Sequence, residues 1–181
     1  MKNNNNRLNW DETFMNIAII AAQRSACIFY KVGALFADKN NRIISQGYNG
    51  PGEGDYHCNE VGCAKINGDP VSKEKGKCRG IHAEINGLIN SFDTTRLKNS
   101  RLFITVFPCF SCMKTLNNVG VKEIIYLEEY KRIKDNSAGL EIEWQSMDLA
   151  KRRGIKITKY MGKIITKHDK LTPPEDCSCN D

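Results

Sequence analysis

The chain alternates short helical segments with short apolar segments of β character, and this alternation is the feature that most constrains its fold. Strands are expected at 31–37, 42–49, 101–107, 123–127 and 155–159. Helices are expected at 12–28, with Asp11 as the cap, and at 82–91, 108–119 and 139–153. The first two strands are joined by a turn at 38–41 and form a hairpin. A hairpin followed by alternating helices and strands predicts a three-layer α/β fold, in which a mixed sheet of about five strands carries helices on both faces.

The stretch 51–80 interrupts this regular pattern. It contains Pro51, Pro70, several glycines and three cysteines, and it shows neither helical nor strand periodicity. A segment of about thirty residues without secondary structure is unusual inside a compact domain, so something other than an apolar core must order it. We therefore divide the chain into a flexible Asn-rich arm (1–10), one domain (11–160) that contains the insertion 51–80, and a C-terminal tail (161–181).

Composition limits the class of protein. The 181 residues are 40% hydrophobic, which is ordinary for a globular chain, and the formal net charge of +6 suits an anionic partner. The start lacks the apolar segment of a signal peptide, and 14–22 is too short to span a membrane. We therefore expect a soluble, cytoplasmic protein with no membrane partner. In that reducing compartment the eight cysteines point to metal binding or catalysis rather than to disulfides.

Two short motifs supply a set of metal ligands. Cys109 and Cys112 form a Cys-x-x-Cys pair that follows a predicted strand and opens a predicted helix. A helix N-terminus favours the thiolate form of cysteine, which is the form that binds zinc. With His82 the pair makes three protein ligands, the number that catalytic zinc sites typically use.

Glu84 follows His82 by two positions and is the candidate catalytic acid and base. Zinc lowers the pKa of water from about 16 toward 7, and a carboxylate within reach can carry the released proton to a leaving nitrogen. Two alternatives use the same residues differently. Cys109 and Cys112 can form a redox pair, or the three ligands can hold a purely structural zinc in a non-catalytic scaffold. Glu84 argues against the scaffold, because a structural site has no use for an unliganded carboxylate.

Several segments in order resemble the deoxycytidylate (dCMP) deaminase family, over roughly residues 8–159. His82-x-Glu84 followed by Pro108-Cys109-x-x-Cys112 matches the known H-x-E…P-C-x-x-C signature of zinc deaminases. The other similar segments are WDETFMNIAIIAAQRSACIFYKVGALF (10–36), IISQGYNGPGEG (43–54), HCNEVGC (57–63) and VKEIIYLEEY (121–130). Of these, the GYNG and CNE segments narrow the resemblance from the superfamily to this family.

The resemblance implies a cytidine-deaminase-like fold and a zinc-dependent hydrolysis of dCMP to dUMP and ammonia, which feeds thymidylate synthesis. It also implies that Asn49 binds the sugar, that the Ala83 N–H binds the ring carbonyl, and that Tyr130 lies near the phosphate. Some family members carry a basic residue at the position of Phe29, so the phosphate contact differs here, with Lys31 nearby.

The resemblance further implies regulation and assembly. Family members are commonly homo-hexamers regulated by dCTP and dTTP, and a triphosphate effector brings Mg²⁺ with it. The nucleotide loop of that regulation corresponds to Gly47, Tyr48, Asn49 and Gly50.

Two other substrates remain as alternatives, namely another cytosine nucleotide such as dCTP, and a tRNA adenosine. Polynucleotides are disfavoured because only 8% of residues are aromatic and the basic clusters contain no interleaved aromatics for stacking on bases.

Four further cysteines form a candidate second zinc site. They are Cys27, Cys58, Cys63 and Cys78, three of which lie in the insertion. Four thiolates make a closed structural zinc site, which would order a segment too polar to fold by burial. Some relatives carry a second zinc in this region. His57 can replace one of the cysteines, and four free thiols are the remaining alternative. Cys177 and Cys179 fall in the tail and are not assigned as ligands.

Overall fold

A five-stranded mixed sheet lies between two layers of helices in the computed structural model, which describes residues 7–129 and 144–165. The strands are β1 (Gly33–Ala37), β2 (Ile43–Tyr48), β3 (Arg101–Val106), β4 (Glu123–Glu128) and β5 (Lys156–Lys159). The helices are α1 (Trp10–Ala22), α2 (Cys58–Val61), α3 (Ala64–Asn67), α4 (Ala83–Ile89), α5 (Phe110–Val119) and α6 (Trp144–Arg153), with a 3-10 turn at Thr94–Leu97. The predicted mixed α/β sheet with helices on both faces is confirmed.

The strand order is β2-β1-β3-β4-β5. β1 pairs antiparallel with both β2 and β3, whereas β3–β4 and β4–β5 are parallel. Each parallel pair is joined by one of the two helices α5 and α6, as a parallel connection requires. β3 therefore occupies the centre of the sheet, and the chain that leaves its carboxyl end enters α5.

Alternate residues of each strand face the two helical layers. In β1, Ala34 and Phe36 pack toward the side of α4, α5 and α6, and Leu35 and Ala37 pack toward α1. β3 repeats this alternation, and all four of these β1 side chains are fully buried. Because both faces are covered, the central strands contain consecutive apolar residues, which is why their sequence reads as an unbroken apolar run.

Helix α1 begins earlier and ends earlier than its periodicity predicts. Asn9, not Asp11, is the cap: its side chain accepts a hydrogen bond from the Glu12 amide at 2.9 Å, and the Glu12 carboxylate accepts one from the Asn9 amide at 2.9 Å. This reciprocal capping box fixes Trp10 as the first helical residue. The helix ends at Ala22 instead of continuing to residue 28, because the chain must turn there to enter β1.

The insertion contains more local structure than its sequence pattern indicates. Helices α2 and α3 are single turns of four residues each, and both end at glycines with positive φ, Gly62 and Gly68. An isolated bridge between Gly50 and Ile81 closes the base of the insertion, with N···O distances of 3.1 and 2.7 Å. Residues 139–143 of the last predicted helix lie outside the described residues.

The first residues of the predicted tail contact helix α1. The buried Asn16 side chain donates to the Lys163 carbonyl at 2.9 Å and accepts from the Ile165 amide at 2.8 Å. Tyr160, buried at the end of β5, also donates to the Lys163 carbonyl. Residues 161–165 thus belong to the structured part of the chain. None of the described helices is long and apolar enough to cross a membrane.

Helix α4 approaches the β1–β2 hairpin very closely through glycines. A Cβ atom on Gly47 would collide with the backbone of α4 at Gly87 N and Ala83 O, and a Cβ atom on Gly87 would lie 2.6 Å from the ring of Phe36. The Asn86 side chain then donates to the Tyr48 carbonyl at 2.8 Å. This contact sets the position of α4, which carries the residues of the candidate site.

We predict that Gly47→Ala destabilises the fold by about 1–3 kcal/mol, because a methyl group inserted between two backbones forces them apart. Gly50→Ala is the matched control, since its Cβ would meet nothing closer than the Tyr48 ring at 3.7 Å. The free energy of unfolding from denaturant titration measures both variants. Equal stability of the two would contradict the close approach of α4 to β2.

Candidate metal centre and substrate cavity

Two helix N-termini bring the predicted metal ligands together. His82 is the N-cap residue of α4, and Cys109 is the N-cap residue of α5. Neither side chain makes a capping hydrogen bond to its own helix. The Gly50–Ile81 bridge holds the start of α4 beside the end of β2, and β3 delivers Cys109 from the centre of the sheet.

The three predicted ligands form a compact group. His82 Nδ1 lies 3.3 Å from Cys112 Sγ and 3.5 Å from Cys109 Sγ. All three ligand atoms lie within 4.8 Å of one another, and both cysteines are buried while His82 is exposed. One imidazole nitrogen and two sulfurs are donors that zinc prefers, and three protein donors leave a fourth tetrahedral position for a non-protein ligand. The residues present therefore fit a catalytic zinc ion.

The charge state of the cysteine pair also suits a cation. A hydrogen bond from the Cys112 thiol, followed by one from the His82 ring, lowers the pKa of Cys109 to about 4. The hydrogen bond that Cys112 donates to Cys109 shares one proton between the two sulfurs. This bond, followed by burial, raises the pKa of Cys112 well above its usual range. A bound metal ion replaces such a shared proton, because metal binding requires deprotonated thiols.

Glu84 lies beside this group without belonging to it. Its side chain is buried, with 4% of the residue exposed, and it contacts the Cys112 thiol. Burial raises the pKa of Glu84 to about 7, although the nearby His82 ring acts in the opposite direction. A carboxyl group that titrates near neutral pH can both accept and donate a proton under physiological conditions.

A cavity of about 150 Å³ opens from the metal centre toward the insertion. Its inner wall contains His82, Ala83, Glu84 and Cys109. Asn49 also lines the cavity, and the remaining wall, here called the outer wall, comes mainly from the insertion and from the segment after α1. The cavity therefore connects the candidate catalytic group to the insertion, for which the sequence pattern predicted no secondary structure.

Asn49 has a clear structural role at the cavity wall. Its side-chain oxygen accepts from the Val32 amide at 2.8 Å, and its side-chain nitrogen donates to the Tyr30 carbonyl at 2.8 Å. The side chain therefore ties the end of β2 to the segment that enters β1, and it retains one N–H for a further contact. Ala83 is fully buried at the first position of α4. Tyr130 lies outside the described residues.

The remaining residues of the predicted nucleotide loop are part of the framework. Gly47 and Tyr48 belong to β2, and Gly50 pairs with Ile81. Tyr48 accepts from Asn86 through its carbonyl oxygen, so its backbone is fixed against α4.

The four other cysteines line the outer wall of the same cavity, namely Cys27, Cys58, Cys63 and Cys78. Desolvation, followed by the charges of Cys63 and Cys27, raises the pKa of the Cys58 thiol. Their sulfurs are not drawn together as closely as those of the first group: among the described residues, the cluster of three or more ligand atoms within 4.8 Å of one another is His82, Cys109 and Cys112. The fold thus gathers these thiols around one space, although no three of their sulfurs lie within 4.8 Å of one another.

The sequence interpretation missed several cavity residues, and Lys65 is the one among them with a charged side chain. Lys65, on the short helix α3, contributes to the outer wall. No spacing rule identifies it, because its position depends on the path of an insertion without periodic pattern.

This fold and this ligand group define a zinc-binding domain, and comparison with known sequences identifies its family. The family profile described as the cytidine and deoxycytidylate deaminase zinc-binding region matches residues 8–128. The chain belongs to this cytidine and deoxycytidylate deaminase family.

Individual relatives agree with the family match. A deoxycytidylate deaminase of Schizosaccharomyces pombe is 36% identical over 125 residues, which cover 68% of this chain but only 38% of that protein. The deoxycytidylate deaminase of Pongo abelii is 30% identical over 176 residues, which cover 94% of this chain and 92% of that protein. The chain thus spans well under half of the yeast relative and nearly all of the mammalian one.

A solved structure shares the fold. The dCMP deaminase of cyanophage S-TIM5, determined in complex with dCMP and dUMP, is 28% identical, with a TM-score of 0.62 over 82% of this chain and 95% of that one. The expected cytidine-deaminase-like fold is therefore confirmed.

Proposed function

We propose that this chain is a zinc-dependent dCMP deaminase that converts dCMP and water to dUMP and ammonia. The observation that carries the proposal is the buried Glu84 carboxyl beside the His82, Cys109 and Cys112 group at the inner end of a cavity. The names of the similar proteins and the dCMP-bound relative supply the substrate.

In the proposed mechanism His82, Cys109 and Cys112 hold the catalytic zinc. When bound, zinc lowers the pKa of water and so makes a nucleophile available near neutral pH. Glu84 takes a proton from the attacking water, delivers it to ring nitrogen N3, and passes a second proton to the departing amino group. A C–O bond forms at C4 of the ring, and the C4–N bond breaks to release ammonia. The raised pKa of Glu84 fits both transfers, because the same group must accept and donate.

Substrate orientation is assigned to the inner cavity wall. The Ala83 N–H lies at the first turn of α4, where backbone donors have no partner inside the helix, and it binds the ring carbonyl oxygen. Asn49 binds the sugar through the N–H that the Tyr30 carbonyl does not occupy. Backbone carbonyls at the end of β3, over 105–107, accept from the amino group of the base. Tyr130 near the phosphate stays a prediction.

We further propose a second, structural zinc held by Cys27, Cys58, Cys63 and Cys78. Support comes from their shared cavity wall and from the low content of apolar core in the insertion, where Cys63 and Ala64 are the buried apolar residues. Four thiolates at Zn–S distances of about 2.3 Å must lie closer together than the present sulfurs, so binding is expected to tighten this wall. Its contribution to stability equals the free energy of binding that is lost on unfolding.

Regulation and assembly stay predictions from the family resemblance. These are a homo-hexamer, control by dCTP and dTTP, and Mg²⁺ carried with a triphosphate effector. The loop from Gly47 to Gly50 contacts α4 directly, so an effector bound there would act on the helix that carries Glu84.

Glu84→Gln is predicted to lower kcat for dCMP by about 100- to 10,000-fold, because the amide has the shape of the carboxyl group but cannot carry a proton. Zinc content and the free energy of unfolding should stay close to those of the wild type. Glu53→Gln, an exposed change in the insertion, is the control and should keep full turnover. Ammonia release from fully metallated protein is the measurement, and near-normal turnover of Glu84→Gln would refute its catalytic role.

Metal analysis is predicted to find two zinc ions per chain in protein that has never been exposed to a chelator. Cys63→Ser should then carry one zinc and lose stability, with a smaller effect on the chemical step. Cys177→Ser, which changes a thiol outside both ligand sets, should keep both ions. One zinc in the wild type would reject the second site and leave the first unaffected.

A single nucleotide is predicted to be a better substrate than any polymer, because only 8% of the residues are aromatic and the basic clusters contain no interleaved aromatic residues on which neighbouring bases could stack. The experiment is competition between dCMP and single-stranded DNA or tRNA at matched target-base concentration, over a salt series. Binding of a polymer weakens steeply with salt through counterion release, whereas binding of dCMP should change little. Faster deamination of the polymer would replace dCMP as the proposed substrate.

A further inference from the structure

Helix α4 carries Glu84, and its contact with the edge strand β2 has two parts of different kinds. One part is the close approach of the two backbones at Gly47 and Gly87. This contact sets the distance between the helix and the strand, but it has no directional bond that opposes rotation or sliding of α4. The other part is a pair of side-chain hydrogen bonds, whose strength depends on direction as well as on distance.

The two hydrogen bonds come from asparagines that lie four residues apart on α4. Asn86 donates through its side-chain nitrogen to the Tyr48 carbonyl at 2.8 Å, and Asn90 donates in the same way to the Gln46 carbonyl at 3.0 Å. Four residues of an α-helix rise about 6 Å, and two residues of a strand rise about 6.6 to 6.8 Å. Because these spacings nearly match, both bonds form together, and a shift of α4 by one residue along its axis would break both.

The acceptors are carbonyls that the sheet leaves open. β2 lies at the edge of the sheet, next to β1. In this antiparallel pair the Asn49 amide donates to the Val32 carbonyl at 3.1 Å, and positions that bond to β1 alternate along β2 from there. Tyr48 and Gln46 are the positions in between, so their carbonyls point away from β1. The asparagines therefore pair with backbone oxygens on the outer edge of the sheet.

These contacts hold α4 at successive points along β2. Gly50, the next outward-facing position after Tyr48, pairs with Ile81 directly before the helix. Asn86 holds the middle of the helix, and Asn90 holds its end as the C-cap residue. Of the two asparagines, Asn86 is half-buried and nearer to the metal centre, whereas Asn90 is exposed.

Asn86 and Glu84 project from nearly opposite sides of α4, because they are two positions apart and each residue of a helix turns by about 100°. Asn86 faces β2, and Glu84 contacts the Cys112 thiol on the other side. A rotation of α4 that breaks the Asn86 bond therefore moves the Glu84 carboxyl relative to the metal centre. The bond of Asn86 thus fixes the direction in which Glu84 enters the cavity.

We propose that Asn86 is a positioning residue for the deamination: its bond to the Tyr48 carbonyl fixes the rotation of α4 and so aligns Glu84 with the substrate. The inference rests on the proposed deaminase function and adds a residue that is not among the described residues lining the cavity. Asn90 makes the same kind of bond at the far end of the helix, where it contributes to stability. Asn90 is therefore the structural reference for Asn86.

The test compares Asn86→Ala with Asn90→Ala in zinc-loaded protein, with dCMP as substrate. Both variants lose an amide–carbonyl bond, so both should lower the midpoint of denaturant unfolding. In Asn86→Ala kcat should fall about 10- to 100-fold, because a displacement of about 1 Å at the reacting groups is sufficient for a loss of this size. KM should change less than about threefold in Asn86→Ala, and in Asn90→Ala both constants should stay within about twofold of the wild type.

Two further variants separate positioning from folding. Asn86→Leu keeps the approximate volume but has no donor, so it should repeat the loss of kcat. Asn86→Gln keeps an amide donor on a longer side chain and should recover part of kcat. Zinc content should match the wild type in every variant. Equal kcat values in Asn86→Ala and Asn90→Ala, a loss of zinc that accounts for the lost turnover, or failure of both Asn86→Ala and Asn86→Leu to fold would assign Asn86 to the fold alone and overturn the proposal.

The two proposals fail in different ways. Absence of ammonia release from dCMP by the zinc-loaded wild type would refute the deaminase function, and with it the reaction that Asn86 is proposed to serve. Normal turnover by the wild type, together with normal kcat in zinc-loaded Asn86→Ala and Asn86→Leu, would refute only the role of Asn86.

Discussion

The metal centre depends on one geometric requirement, which is that two helices must begin within a few ångströms of each other. His82 and Cys109 are N-cap residues of different helices, and their side chains meet because neither caps its own helix. The sheet order supplies this geometry. β3 in the centre releases its chain directly into α5, and the hairpin beside it holds α4 through the close backbone contact at Gly47. The proposed binding of the substrate and the proposed proton transfer by Glu84 both rely on that alignment.

Glu84 shows how the same geometry changes the acidity of a side chain. Placing the carboxyl at the start of a helix packed against the sheet removes it from water, and that desolvation is the main reason for its raised pKa. The cysteine pair beside it shares a proton instead of carrying two charges. A divalent cation is the natural replacement for the shared proton, because metal binding requires deprotonated thiols.

Most of the framework and the ligand group were predictable from sequence, because both are encoded locally. Strands that are covered on both faces appear as apolar runs, and His82, Cys109 and Cys112 are placed by their distance from helix starts. The error at the cap of α1 arose because Asn9 and Asp11 are equally good capping residues, and only the capping box with Glu12 distinguishes them. The four-residue helices of the insertion are too short to generate a period. The position of Lys65 follows from tertiary contacts of that insertion, and the spacing of residues in the sequence does not predict such contacts.

The bridge between Gly50 and Ile81 gives the insertion an unusual independence from the rest of the domain. Its two ends are held together by a pair of backbone hydrogen bonds, so the segment is a loop that is closed at its base. The entropy of closing a flexible loop rises only with the logarithm of its length, by about 0.6 kcal/mol for each doubling. Residues can thus be added to or removed from this loop at small thermodynamic cost while the metal centre keeps its geometry. The part of the cavity wall that the insertion forms is consequently the part that can change in shape and charge most easily, while the metal centre is held constant.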